Sequence, residues 1–194
     1  KAYTAQLAML VSLAIEIATK TNSYTSKELE TLKNDLFDIP NKINSILVNT
    51  SHIEKLSQQI YKESDIYYIG RGLDYFVCLE GSLKLKEISY IHSEACAAGE
   101  LKHGPIALIE NDTYVVSVIT DSLLLPKTIS NIQEVISRGA KTILITNQKI
   151  QNNVCDYIVD IPKTSYLLSP LLSVVPLQLL SYFVAKGKNL DVDK

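Results

Sequence analysis

Cysteine is scarce in this chain. Cys78, Cys96 and Cys155 are widely spaced, odd in number and outside any CxxC or Cys/His ligand spacing. A disulfide framework and a zinc site are therefore not expected, and a reducing compartment such as the cytoplasm fits best. Each cysteine reads as a small buried apolar residue. No basic stripe is present either: 19 Lys and Arg stand against 21 Asp and Glu, for a net charge of −2 and a pI near 5.9. That balance gives no reason to expect nucleic acid or an anionic membrane as a partner. No low-complexity tract interrupts a sequence that is 46% apolar and 21% charged, as in a globular protein.

Two apolar runs need a reading. AYTAQLAMLVSLAIEIA, residues 2–18, has Gln6 and Glu16 in it and lacks the basic start and cleavage pattern of a signal peptide. It is expected to be a helix, apolar nearly all round and well buried. LLSPLLSVVPLQLLSYFVA, residues 167–185, carries Pro170, Pro176, Gln178 and three serines. A core helix suits it better than a membrane span. The chain opens on Lys1 in mid-pattern and without Met, and so reads as a piece of a longer protein.

Residues 1–64 show helical patterns and no strand signal. Ser26 is placed to cap a helix over Glu28–Asp38, Pro40 to open another reaching Val48, and Ser51 to cap a third. From Asp65 the pattern changes. IYYIG, TYVVSVIT, KTILIT and CDYIVDIP are short, nearly continuous apolar runs, and helical stretches separate them at about 74–92 and 123–138. A last helix is expected over about 170–186. This alternation predicts an α/β fold with a mostly parallel sheet covered on both faces, and ligands outside the carboxyl ends of its strands. Gly70–Gly72, Thr120–Ser122 and Thr146–Asn147 would lie on that rim.

Gly70-Arg71-Gly72 joins a strand to a helix. Its glycines let a ligand approach the backbone, and the helix amino terminus offers free N–H groups to an anion. The third glycine of a dinucleotide fingerprint is missing, so the same residues serve equally as a tight turn. Glu80, Lys84 and Glu87 follow at i, i+4 and i+7. At about 100° per residue they fall within about 60° of one another, on one helix face. Such a face can be a solvated Glu–Lys pair, or a proton shuttle in which the lysine keeps a carboxylate ionised. His103, beside Gly104-Pro105, is an exposed loop histidine able to act as acid or base. His92 is expected to end the helix, where a cation suits the dipole. His52 is given no role. Glu94 is a candidate cap for a short helix, Glu100 a partner for a lysine, and Glu94, Glu100 and Lys102 are not ranked.

The stretch LEGSLKLKEISYIHSEACAAGELKHGP, with YIGRG before it and VVPLQLLSYFVAKGKNLDVD after, closely resembles the isomerase half of the glucosamine-6-phosphate synthase family, the glutamine–fructose-6-phosphate aminotransferases. The resemblance covers essentially the whole chain. It implies that residues 1–64 lead out of a first sugar-isomerase (SIS) domain and that 65–194 are the second. It also implies an α/β/α sandwich with five strands, one more than the patterning reveals. By this resemblance Glu87 would be the general base that moves a proton between C1 and C2 of the ring-opened sugar. Lys84 would assist beside it, Glu80 would be the carboxylate on the preceding turn, and His103 would open the sugar ring from the neighbouring subunit of a homodimer. The family needs no metal or cofactor. Its phosphate-holding loops lie mainly in the first SIS domain, and its Schiff-base lysine lies in a tail past DVDK, so Lys194 is not expected to be that lysine. The chain alone is expected to be inactive. A non-catalytic SIS module that senses a sugar phosphate, and a sugar-phosphate deglycase or deaminase, remain open alternatives.

Overall fold

The structure is a computed structural model that describes residues 2–150 and 153–193. The expectations for Lys1 and Lys194 lie outside those residues. Three helices come first: α1 (Tyr3–Thr21), α2 (Ser26–Val48) and α3 (Ser51–Ile60). Then follow β1 (Asp65–Gly70), α4 (Leu73–Ser89), β2 (His92–Ala97), β3 (Tyr114–Ile119), α5 (Leu125–Ile136), β4 (Lys141–Thr146), β5 (Tyr157–Asp160) and α6 (Ser169–Gly187). Short 3-10 turns at Leu101–His103 and Pro105–Leu108 sit between β2 and β3.

The five strands form one parallel sheet in the order β2-β1-β3-β4-β5. Alternate residues of each strand feed opposite cores, as the period of two requires. Ile66, Tyr68, Val116, Val118 and Ile145 face α4, α6 and the amino-terminal helices. Tyr67, Ile69, Val115, Ile119 and Leu144 face α5 and the 3-10 turn at Leu101. The result is the expected α/β/α sandwich. The apolar run at 167–185 is the central helix α6, whose most apolar window is 72% buried inside the protein.

Several departures from the sequence reading have physical causes. The fifth strand is β2, HSEACA, which pairs only with β1 and lies at the sheet edge. Helix α4 stops at Ser89 because Tyr90 takes a left-handed conformation (φ +59°) and its N–H bonds back to Lys86 O. His92 therefore begins a strand and does not cap a helix. Its Nδ1 lies 2.8 Å from Asp65 Oδ1 on the neighbouring strand, where the register pairs the two residues. Glu94 is likewise a strand residue and caps nothing.

Helix α2 runs through Pro40 without a break. Its capping residue is Thr25, not Ser26, in a reciprocal capping box with Glu28. The buried stripe Leu29, Ile39 and Ile46 holds both halves of α2 to the protein. The third helix begins at Ser51 itself, with Thr50 at the position before it and no side-chain capping bond. Helix α1 is not well buried. Ile15 is its one fully buried residue, while Met9, Leu10, Leu13 and Ile17 are more than half exposed. One stripe of α1 packs on the core, and the opposite stripe has no cover.

Tyr68 offers a test of the core. Its ring is fully buried, and its hydroxyl has no hydrogen-bond partner among the described residues. Burial pushes the phenol pKa far up, so the group stays neutral. An unpaired buried hydroxyl costs free energy, so Tyr68→Phe should raise stability by about 1 kcal/mol in urea melts. A loss of stability would show that the hydroxyl is satisfied.

Candidate active site

Helix α4 lies against α6, and Gly81 sets the distance. A Cβ there would come within 2.5 Å of Leu177 Cδ1, so only glycine lets the helices approach this closely. Val77, Cys78 and Leu85 are buried on the packed side. The i, i+4, i+7 face is left beside α6, with Glu80, Lys84 and Glu87 turned into an open cleft.

That cleft, of about 840 Å³, is lined by the three charged residues together with Tyr3, Thr4, Gln178 and Asp193, among others. Lys84 Nζ lies 2.7 Å from Glu87 Oε2 and 3.7 Å from Glu80 Oε1. The side chains are 14% exposed for Glu80, 27% for Lys84 and 48% for Glu87. Glu87 is therefore the carboxylate most open to a ligand, and Glu80 the inner partner. The Glu87 hydrogen bond raises the Lys84 pKa, with Glu80 adding to it against partial burial, so Lys84 stays an ammonium. Partial burial, and then the Glu80 charge, raises the Tyr3 phenol. A fixed ammonium between two carboxylates, one of them solvent-accessible, is suited to moving protons.

His103 lies elsewhere in the molecule. Its neighbour Leu101 is buried in the α5-side core, across the sheet from α4. The imidazole is 75% exposed, and its nearest carboxylate is Glu100 at 4.0 Å. One chain therefore brings together Glu80, Lys84 and Glu87 but not His103.

Gly70-Arg71-Gly72 is the turn from β1 into α4, and Gly72 has φ +57°. The first amides of α4 have partners inside the protein: Leu73 N–H donates to the Tyr166 hydroxyl, Asp74 N–H to Arg71 O and Tyr75 N–H to Gly72 O. The Arg71 guanidinium turns toward α5 and donates to Asn131 Oδ1. Thr120–Ser122 and Asn147 line a separate rim cleft of about 370 Å³ with Tyr166.

Sequence reasoning missed Tyr3, Thr4 and Asp193, which enter the cleft from the two ends of the chain. Gln178 was visible only as a polar break in an apolar helix. Among the described residues no group of three or more His, Cys, Asp and Glu is placed to hold a metal. The three thiols are free, and burial raises their pKa values, to about 11 for Cys96 and Cys155.

Residues 59–185 match the SIS domain family. The chain belongs to it. The chain is 49% identical over its whole length to the glutamine–fructose-6-phosphate aminotransferase (isomerizing) of Clostridium perfringens, and 41% to that of Thermococcus kodakarensis. It spans 32% of the length of each of those relatives. Among solved structures, the C-terminal domain of glucosamine-fructose-6-phosphate aminotransferase from Francisella tularensis superposes with a TM-score of 0.94 at 37% identity. That match covers all of this chain and 55% of the other. The SIS match starts within α3, so α1 and α2 precede it.

Proposed function

We propose that this chain is the proton-transfer part of an isomerising glutamine–fructose-6-phosphate aminotransferase, with residues 1–64 as the helical lead-in and 65–194 as its second SIS domain. The observation that carries the reading is the Glu80–Lys84–Glu87 face opening on a cleft large enough for a hexose phosphate. Full-chain identity to enzymes of that name supports it. In this reading ammonia has condensed with the C2 carbonyl of ring-opened fructose 6-phosphate. Glu87 removes a proton from C1 of the resulting imine and returns it to C2, while the C1 hydroxyl gives up its proton and the nitrogen gains one, leaving the C1 aldehyde and C2 amine of glucosamine 6-phosphate. Lys84 orients Glu87 through the hydrogen bond between them, and Glu80 fixes Lys84 from the other side. No metal or nucleotide cofactor takes part, and the enzyme works in the cytoplasm without nucleic acid or membrane. A backbone role is retained for Gly70, Arg71 and Gly72, whose turn starts α4; direct contact with substrate is not part of the reading.

His103 completes the site from the second subunit of a homodimer, which answers its separation from Glu87 within one chain. Subunit mixing tests this arrangement. Full-length protein should make glucosamine 6-phosphate from fructose 6-phosphate and glutamine, and the Glu87→Gln and His103→Ala variants should each be nearly inactive. A refolded mixture of the two variants should recover activity, because mixed dimers hold one site with both lesions and one intact site. No recovery would place both residues in the same subunit's site.

A further inference from the structure

The turn that carries His103 is tied down by more than its apolar anchor Leu101. Arg71, in the β1–α4 turn, donates to Asn131 Oδ1 on α5 from Nη2 at 2.9 Å and from Nε at 3.3 Å. Asn131, 6% exposed, donates from Nδ2 to Glu134 Oε2 at 3.2 Å. The other oxygen of Glu134 lies 3.0 Å from Lys102 Nζ. Lys102 immediately precedes His103. The Arg71 guanidinium also lies against Gly99 at the start of the same turn, where an added Cβ would sit 3.0 Å from Nη1. The chain of bonds thus starts at the strand end that launches α4 and ends at the residue beside the imidazole.

We propose that Arg71, Asn131, Glu134 and Lys102 form a strut that positions His103. The inference rests on the function proposed above, in which His103 acts in a neighbouring subunit's site. An exposed imidazole that must enter another subunit's site needs a backbone held still, because small misplacement of a reacting group is costly. Leu101 fixes the depth of the turn. It cannot fix rotation of the turn about that anchor, and the packing of Arg71 against Gly99 and the ion pair at Lys102, on either side of it, do so. The strut also separates three residues that spacing left unranked. Lys102 belongs to the support of His103, Glu100 stands next to the imidazole, and Glu94 lies out on β2. Arg71 is thereby a positioning residue.

The test is a double-mutant cycle in the full-length protein, read as kcat and KM for sugar turnover. Glu134→Gln keeps an acceptor for Asn131 and loses the charge that holds Lys102. It should lower kcat about tenfold with KM little changed, a modest share of what misplacement can cost. Lys102→Met cuts the same link at a side chain that is 65% exposed, so it should fold normally and give the same loss. In a His103→Ala background neither substitution should lower turnover further, since nothing is left to position. Glu134→Asp, which keeps the charge, should recover most of the activity. Equal losses in both backgrounds, or no loss in the wild-type background, would overturn the strut while leaving the role of His103 intact. Unchanged turnover in His103→Ala itself would overturn the proposed function, and the strut with it.

Discussion

Under the proposed function, Glu87→Gln should abolish glucosamine 6-phosphate formation in the full-length protein while hydrolysis of glutamine, the amino donor of that reaction, continues. A general base contributes roughly two to four powers of ten to a proton transfer, and an amide at the same position cannot accept the C1 proton. The substitution is nearly isosteric, and its oxygen can still accept from Lys84 Nζ, now 2.7 Å away. Glu87 is also about half exposed, so its ion pair adds little to stability and the fold should be unaffected. Turnover assays beside glutaminase assays on one preparation separate chemistry from misfolding. Normal sugar turnover would remove Glu87 from the role. Lost glutaminase and sugar activity together, with a lowered melting temperature, would mean that Glu87 is structural.

How far the sequence foretold this site depends on what each residue's signal encodes. Strands β1, β3 and β4 were readable because burial on both faces imposes continuous apolar runs, as in KTILIT, and the other edge strand, β5, by its β-rich YIV. The edge strand HSEACA has a solvated flank and no β-branched residue, so neither periodicity nor propensity marks it, and His92 was read with the helix before it. Hydrophobicity misled at α1, since a run of apolar residues does not say which of them a neighbour covers. Glu80, Lys84 and Glu87 were readable as one face because a helix repeats every 3.6 residues. Spacing alone could not tell a solvated ion-pair ladder from a proton shuttle. Tyr3 and Asp193 reach the cleft at that face from opposite ends of the chain, and the proposed shuttle rests on that cleft and not on spacing. The separation of His103 from the face was not legible at all. It follows from which side of the sheet the 98–108 crossover takes, and no local pattern encodes that.

Asp74 should give the largest stability effects, and of opposite sign for two substitutions. Its carboxylate, 2% exposed in the first turn of α4, accepts from Thr120 N–H at 2.8 Å and from the Thr120 hydroxyl at 2.5 Å. Ser169 Oγ lies 2.8 Å from the same hydroxyl, so the cluster joins α4, the end of β3 and the start of α6. Asp74→Ala removes the acceptor and leaves a buried N–H unpaired where three elements meet, a loss of about 3 kcal/mol in urea unfolding. Asp74→Asn keeps an acceptor for the N–H, and the Thr120 hydroxyl can turn to Ser169, so the bonds survive and the buried charge goes.

The direction of the pKa shift fixes how that second comparison varies with pH. Burial raises the Asp74 pKa above the ordinary 3.8, against the bonds from Thr120 that lower it. A carboxyl raised on folding contributes stability that is complete below its unfolded pKa and is lost as pH rises through its folded value. Wild type and Asp74→Asn should thus be most alike in acid, and the asparagine variant should gain on wild type as pH climbs past 3.8 toward neutrality. Unfolding free energies measured across that range should show the gap opening and then levelling. A gap that narrows instead would mean that the hydrogen bonds to the ionised carboxylate outweigh the cost of burying it.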